Sequence, residues 1–220
     1  MAVRGQLTEL AYQTVKQRLL TGTYRAGDRI SVEDLAIEFG TSRQPIMDAL
    51  KRLATGYYLE IIPQVGVRVA VPKRQDVLDF HRSLAATEAV CAELAAERAD
   101  QTGAAKLCEI NQQIGLLLSD EFDDVERARH YRTLNRDFHR QLTALAQSEN
   151  ITSISSYMWD RNDFFMSSTF EVKVLMERLR TAYEEHNLIC EAVAAKDPEA
   201  ARRATLKHVL AFTERAEIDG

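Results

Sequence analysis

The pattern of hydrophobic and polar residues between positions 31 and 71 predicts two short helices followed by a β-hairpin. The second helix has apolar residues three or four positions apart, the spacing of one buried helical face: Ile46, Ala49, Leu50 and Leu53. Serine is favoured just before a helix and glycine just after one. Ser31 and Gly40 therefore bound the first predicted helix, and Ser42 and Gly56 bound the second. Two β-rich runs follow at 59–62 and 67–71. This order predicts a winged helix-turn-helix.

The opposite face of the second helix is polar, and solvent or a ligand must meet it. It carries Arg43, Gln44, Met47, Asp48 and Lys51. A short helix that presents Arg and Gln from its first turn suits the major groove of DNA. The alternative is a small helical subdomain with a solvated polar face, and the predicted hairpin argues against it.

The segment from residue 76 onwards contains few helix breakers. Its glycines and prolines are Gly103, Gly115, Pro198 and the terminal Gly220. This scarcity predicts about six helices, near 76–99, 103–119, 123–147, 151–168, 172–195 and 198–216. We expect Asn150 to cap the fourth helix and Asp197 to cap the last. The predicted fold is mainly α: a winged helix-turn-helix over 1–72, then an all-α bundle over 73–220.

The charge distribution supports this division. The chain carries a net charge of −5, but residues 1–75 have a net charge of +4 and the remainder −9. A basic part is expected to meet nucleic acid, and an acidic part to do something else. The three cysteines lie far apart and form no CxxC pair, which indicates neither a disulfide framework nor a thiolate zinc site. No signal peptide or membrane-spanning run is apparent, so we expect a cytoplasmic protein.

The predicted bundle contains all five histidines, and three of them lie on separate helices. Asn135 and His139 stand four residues apart on one face of the third predicted helix, and His186 and His208 lie on the fifth and sixth. Side chains from several helices can converge in a bundle core as a divalent metal site. The alternative reading makes these histidines ordinary core or surface residues.

Residues 7–71 resemble the DNA-binding domain of GntR-family bacterial transcription regulators. The resemblance rests on TGTYRAGDRIS, LAIEFGTSRQPIMDALKRL and the wing PQVGVRVA. It implies that Arg43 reads a base, usually guanine, with Thr41, Ser42 and Gln44 beside it on DNA. Lys51 and the wing residues Gly66 and Arg68 are expected at the backbone or minor groove. Where the family commonly has a second Arg, this chain has Met47, which implies a different operator.

Residues 76–217 are similar to the ligand-binding FCD domain of the FadR branch of this family. The similarity lies in TEAVCAELAAERA, RTLNRDFHRQLTALAQSEN and EEHNLICEAVAAKDPEAARRATLKHV. It implies a divalent metal, often zinc, held by His139, His186 and His208, with Asn135 in place of the usual Asp. An amide oxygen is a weaker ligand than a carboxylate and leaves a neutral site, which would favour an anionic effector.

The resemblance also implies a small carboxylate effector beside the metal. Many relatives carry an Arg one turn before Glu88, and this chain has Leu84 there. Recognition of the effector is therefore expected to differ from the common carboxylate clamp. The candidate replacements are Arg132, Tyr157, Arg161 and Asn187.

These features predict a ligand-responsive transcription regulator, with repression the usual mode in the family. It would bind a palindromic double-stranded operator as a homodimer, without membrane association. One alternative is a metal-dependent hydrolase that activates water at the three histidines. The sequence has no HExxH pair or GxSxG elbow for such chemistry, and we expect no enzymatic activity. A second alternative uses the helical half for dimerisation alone.

Overall fold

The computed structural model describes residues 4–119, 123–169 and 172–215. The chain divides into two compact units. The first comprises Met1–Lys73 together with Asp160–Thr169, and the second comprises Arg74–Trp159 and Phe170–Gly220. The boundary predicted after residue 72 stays a prediction. Sequence patterning gave no sign that residues 160–169 belong with the first unit.

The first unit is a winged helix-turn-helix, as predicted. Its helices are α1 (Arg4–Leu20), α2 (Val32–Glu38) and α3 (Arg43–Thr55), and its strands are β1 (Arg29–Ile30), β2 (Leu59–Ile62) and β3 (Gly66–Val69). The antiparallel strands form one sheet in the order β1-β3-β2. The register places Arg68 between Arg29 and Glu60. The pattern missed β1 because two residues show no alternation.

Local chemistry explains where α2 and α3 begin and end. The Ser31 hydroxyl accepts a hydrogen bond from the Asp34 amide at 3.1 Å, the capping bond that the sequence predicts. Gly40 has φ +59°, a left-handed conformation in which glycine avoids a Cβ clash. Ser42 occupies the N-cap position of α3, but its side chain makes no capping hydrogen bond. Ser42 thus takes the predicted cap position without a side-chain bond, and the residue is exposed beside Arg43.

The core of the first unit includes the second half of helix α7 (Glu149–Thr169). Phe164 is fully buried, and its ring meets the Tyr58 ring edge-on at 5.3 Å between centroids. The Ser167 hydroxyl donates to the Leu19 carbonyl at 2.8 Å, at the end of α1. The Arg161 guanidinium donates to the Tyr57 carbonyl at 2.6 Å, just beyond α3. This part of α7 thus holds the carbonyl ends of both α1 and α3.

The second unit is an all-α bundle, also as predicted. Besides the first half of α7, the helices are α4 (Arg74–Arg98), α5 (Gln101–Leu116), α6 (Asp124–Leu145), α8 (Val172–Ala194) and α9 (Pro198–Arg215). Helix α4 packs along α9 and also against α6 and α8, and α5 packs against α6 and α8. Each predicted helix in this half agrees with an observed one to within three residues at either end.

Of the two helix caps predicted in this half of the chain, one is confirmed and the other is wrong. The Asp197 carboxylate accepts from the Ala200 amide at 3.0 Å, so the predicted cap of the last helix is confirmed. Helix α7 already begins at Glu149, so Asn150 lies inside its first turn and the predicted cap there is wrong. The motif S-E-N offers several polar residues in a row, and side-chain pattern alone does not choose between them.

Candidate metal centre and nucleic-acid surface

Three histidines from α6, α8 and α9 meet inside the second unit. His139 and His186 are fully buried and His208 is 7% exposed. One ring nitrogen from each lies within 4.8 Å of the others. Histidine is the commonest metal ligand in proteins, and three nitrogen donors at this spacing can share one divalent ion. The sequence resemblance had selected these same three residues.

A polar partner behind each histidine determines which ring nitrogen faces the others. The Nδ1 atom of His139 donates to Glu88 Oε2 at 2.9 Å, and Nδ1 of His208 donates to Glu185 Oε2 at 2.8 Å. A carboxylate accepts hydrogen bonds and cannot donate them, so we assign the ring protons to these Nδ1 atoms. The Nε2 atoms of both rings therefore carry lone pairs.

Asn111 plays the same part for His186. Its amide nitrogen donates to the Tyr183 carbonyl at 3.1 Å and to Asn187 Oδ1 at 2.8 Å, which settles the orientation of the amide. The amide oxygen consequently faces His186 Nδ1 at 3.2 Å and accepts a hydrogen bond from its N–H group. All three rings are thus held with Nε2 inward, the arrangement typical of metal-binding histidines with an outer partner.

The inward-facing atoms are acceptors that lack a donor. His186 Nε2 and His208 Nε2 lie 3.0 Å apart, where two lone pairs repel unless a positive charge lies between them. His139 Nε2 and Asn135 Oδ1 are both buried and make no hydrogen bond. Unpaired buried polar atoms are costly in a protein interior. Three imidazole nitrogens without a donor fit a divalent cation. Asn135 lies one turn before His139 on α6, and its unpaired amide oxygen could serve as a fourth ligand.

Charged side chains surround the cluster one layer behind the neutral candidate ligands. The Glu88 carboxylate is fully buried against His139, and Glu185 contacts both His208 and Arg178, the latter at 3.0 Å. Two carboxylates and one guanidinium therefore surround the histidines one layer out. The candidate ligands themselves remain neutral, and the negative charge lies on their hydrogen-bond partners.

Burial keeps His186 and His208 unprotonated at neutral pH, because it lowers the pKa of both. Loss of hydration lowers the pKa of His186 well below 6.5, and the neighbouring His208 and His139 lower it further. Burial lowers the pKa of His208 to about 4, against an opposing contribution from its hydrogen bond to Glu185. Neutral imidazole is the form that binds a metal, so these two residues need no deprotonation near pH 7.

Two of the predicted effector residues lie on the helices that carry the cluster. Asn187 follows His186 on α8, and its amide oxygen accepts from Asn111. Arg132 is half-buried on α6, one helical turn before Asn135. Leu84, which stands where relatives carry an Arg, is buried in an apolar group with Trp159 and others.

The other two predicted effector residues are placed elsewhere. Arg161 belongs to the first unit, where its guanidinium donates to backbone carbonyls at 56 and 57 and lies 4.5 Å from the Phe165 ring centre. The Tyr157 side chain is 53% exposed. Neither has a described contact with the three histidines. Their assignment to an effector pocket stays a prediction without geometric support.

Sequence reasoning missed the three residues that orient the rings: Glu88, Asn111 and Glu185. Each lies on a helix face where the neighbouring apolar residues give the sequence pattern of an ordinary buried face. Asn111 offers a partial signal, since a buried amide among Leu107 and Ile114 must find partners.

The predicted DNA-contacting residues gather on the start of α3 and on the wing. Ser42, Arg43, Gln44, Lys51 and Gly66 are exposed, and Thr41, Met47 and Arg68 are half-buried. Arg43 pairs with Glu33 at 2.7 Å, and Gln44 donates to Asp48 at 2.9 Å. Both side chains of such exposed pairs can exchange partners at little cost. The wing tip turns at Gln64 and Gly66, which have φ of 62° and 122°.

A winged helix joined to a helical bundle with a three-histidine cluster defines a class of bacterial DNA-binding regulators. Residues 7–69 match the gntR family of bacterial regulatory proteins, and residues 78–211 match the FCD domain. The chain belongs to the gntR-family transcriptional regulators that carry an FCD domain. None of the described helices is long and apolar enough to cross a membrane.

Similar proteins span almost the whole chain. It is 26% identical over 204 residues to the uncharacterized HTH-type transcriptional regulator YdhC of Bacillus subtilis (strain 168), covering 90% of this chain and 85% of that one. It is 23% identical to the HTH-type transcriptional repressor GlaR of Escherichia coli (strain K12), covering 90% of both. A GntR regulator structure from Rhodococcus sp. RHA1 superposes with a TM-score of 0.75 at 19% identity, over 94% of this chain and 95% of that one, a similarity of fold.

The lowered histidine pKa values predict a pH-dependent stability of the metal-free protein. Unfolded chains take up protons on His186 and His208 below about pH 6.5, whereas the folded chain does so at lower pH. The free energy of unfolding should therefore be highest above pH 6.5 and fall as pH drops towards 4, by about 3 kcal/mol from His208 alone. Denaturant titrations with EDTA at several pH values would measure it.

The matched variants are His208→Gln, which removes one of these groups, and His130→Gln, which lies outside the cluster. The first should flatten the dependence on pH and the second should preserve it. An unchanged slope in His208→Gln would contradict the assignment of a neutral buried imidazole.

Proposed function

We propose that the chain is a ligand-responsive repressor of the FadR branch that binds a palindromic operator as a homodimer. The observation that carries this proposal is the cluster of three inward-facing imidazole nitrogens in the second unit. The first unit presents the exposed polar face of α3. One unit offers a site for a cation and an anionic effector, and the other offers a surface for DNA. The repressor name of GlaR supports the sign of regulation.

The exposed start of α3 supports reading of bases, and the wing supports contact with the backbone. Arg43 extends from the first turn of α3, and its side chain pairs with Glu33 yet is 70% exposed. On DNA it would exchange this carboxylate for a guanine, where two hydrogen bonds are available. Met47 has an apolar side chain and would meet a thymine methyl group. Two such heads on a homodimer would match the two halves of a palindrome.

The donor set supports zinc as the metal. Three imidazole nitrogens and an oxygen are a common zinc set, and Asn135 is the weakest donor among them. His139, His186, His208 and Asn135 would hold the ion. When bound, it would supply a positive charge that attracts a small carboxylate effector. Glu88 and Glu185 would keep the imidazoles in position and offset part of that charge.

Helix α7 supports a route from this site to the DNA-binding unit, because it contributes residues to both. In the second unit the Ser155 hydroxyl donates to Glu88 Oε1 at 2.8 Å, and the other oxygen of Glu88 accepts from His139. In the first unit Arg161 and Ser167 hold the ends of α3 and α1. We propose that a displacement of Glu88 is transmitted along α7 to the Arg161 contact at the end of α3, the recognition helix.

A metal-dependent hydrolase would need a general base beside the metal. Glu88 and Glu185 are the carboxylates that contact the histidines among the described residues. Both accept from Nδ1 atoms, behind the rings and away from the inward-facing Nε2 atoms. This placement suits outer support of a metal and does not favour the enzyme alternative.

Separate roles for Arg43 and Lys51 give the first test of this proposal. Arg43→Ala should remove operator preference, a loss of about 1–3 kcal/mol in discrimination, and leave weak, salt-sensitive binding. Lys51→Ala should weaken binding to all sequences alike and reduce the salt slope by about one unit. Titrations on operator and scrambled duplexes at several salt concentrations would measure both. The control is Arg82→Ala, which changes an exposed Arg of the second unit. If Arg43→Ala still discriminates operator from scrambled DNA, Arg43 does not contact a base.

Zinc binding gives the second test. Protein stripped with EDTA should bind one Zn²⁺ per chain in calorimetry and melt at a higher temperature once loaded, since the ion binds the native state. Asn135→Asp should tighten binding about tenfold by supplying an anionic ligand, and His186→Ala should weaken it at least a hundredfold. His130→Ala should behave as wild type. Equal affinities of the wild type and His186→Ala would overturn the site.

The third test concerns α7. Ser155→Ala removes the hydroxyl between α7 and Glu88, whereas Ser156→Ala changes an exposed neighbour on the same helix. Ser155→Ala should keep zinc and DNA binding but reduce, at least threefold, the change in DNA affinity that zinc produces. Fluorescence anisotropy on labelled operator with Zn²⁺ or EDTA measures this ratio. A wild-type ratio in Ser155→Ala would place the coupling elsewhere.

A further inference from the structure

Helices α5 and α8 of the second unit pack in a register that their polar contacts define. Asn111 on α5 donates to the Asn187 side chain on α8. One turn further along α5, a Cβ added at Gly115 would lie 2.8 Å from the Tyr183 ring, one turn earlier on α8. Moving forward on α5 thus corresponds to moving back on α8. The two helices are antiparallel, and each turn of one faces a known turn of the other.

The next pair in this register is two cysteines. Three residues before Asn111 lies Cys108, and three residues after Asn187 lies Cys190. Their thiols are in hydrogen-bonding contact, and both are free. Cys108 is half-buried, whereas Cys190 is 4% exposed. Two thiols in contact across a helix interface, one of them open to solvent, can become joined with small side-chain rotations.

The two thiols differ in accessibility to an oxidant. Burial raises the pKa of Cys190, and the adjacent Cys108 thiol raises it further, so Cys190 is a poor first target. The remaining cysteine, Cys91, is fully buried on α4, and burial raises its pKa to about 12. Oxidation is therefore expected to begin at Cys108.

We propose that Cys108 and Cys190 form a redox-sensitive modification site, which a peroxide converts into an intramolecular disulfide between α5 and α8. The Cys108 sulfur attacks the peroxide and becomes a sulfenic acid, as the O–O bond breaks and water leaves. The Cys190 sulfur then attacks the sulfenic sulfur, forming the S–S bond and releasing a second water. Overall, the peroxide gains two electrons, and the two thiols together lose two electrons.

The position of this bond links it to the histidine cluster. Cys190 lies one turn after His186 on α8, and Cys108 lies one turn before Asn111, which orients the His186 ring. The disulfide would brace the same pair of helices that orients this metal ligand. That consequence rests on the proposed function, whereas formation of the disulfide does not depend on metal.

The test is peptide mapping of the full-length protein, freed of metal with EDTA and treated with hydrogen peroxide. Trypsin places the three cysteines on separate peptides, 83–98, 107–127 and 181–196. Without reductant, 107–127 and 181–196 should appear as one cross-linked species, about 2 Da lighter than their sum. Free thiols should fall from three per chain to one, with Cys91 still reduced.

Variants separate this pair from general oxidation. Cys190→Ser should leave a Cys108 sulfenic acid that dimedone traps, and Cys108→Ser should slow loss of the Cys190 thiol at least tenfold. Cys91→Ser should form the disulfide as the wild type does, and circular dichroism checks that each variant is folded. Intermolecular disulfides alone, or a Cys108 that oxidises further without consuming Cys190, would overturn the proposal. A failure of zinc binding would leave this result unaffected.

Discussion

The three-histidine cluster of the second unit depends on three hydrogen bonds that hold imidazole Nδ1 atoms. The acceptors are Glu88, Asn111 and Glu185. Each lies on a different helix from the ring that it holds. Each bond fixes a tautomer and turns Nε2 inward. The bundle must therefore bring α4, α5, α6, α8 and α9 together before the cluster exists. Folding of the domain and assembly of the site are one event.

The same hydrogen bonds would compensate for an amide ligand at the proposed metal site. Negative charge is still present, but it lies one layer out, on Glu88 and Glu185, with Arg178 beside the latter. A bound cation would lie farther from these charges than from the charge of a directly coordinating carboxylate, so their attraction would be weaker. The affinity for metal should thus be lower than with Asp at 135, and more open to modulation by an anion.

Much of the fold could be predicted from sequence because local signals are strong. The apolar spacing around Leu50 and the scarcity of breakers after residue 76 determine element types, and Pro198 marks a helix start. The histidines were identified through resemblance, since spacing alone does not bring three helices together. Asn111 and the division of α7 between two units could not be predicted, because both depend on tertiary packing. Ser42 occupies the predicted N-cap position, but that position alone does not determine whether its side chain makes a hydrogen bond.

The most direct test of the inward-facing Nε2 arrangement is the tautomer of each ring in zinc-loaded protein. Long-range ¹H–¹⁵N correlation spectra of ¹⁵N-labelled chain distinguish protonated from unprotonated ring nitrogens, and His139→Gln, His186→Gln and His208→Gln assign the signals. We expect all three rings to be protonated at Nδ1, and we expect Nε2 to be the nitrogen whose chemical shift changes when EDTA removes the ion. A proton on Nε2 of any of the three, or a zinc-dependent shift at Nδ1, would contradict this arrangement.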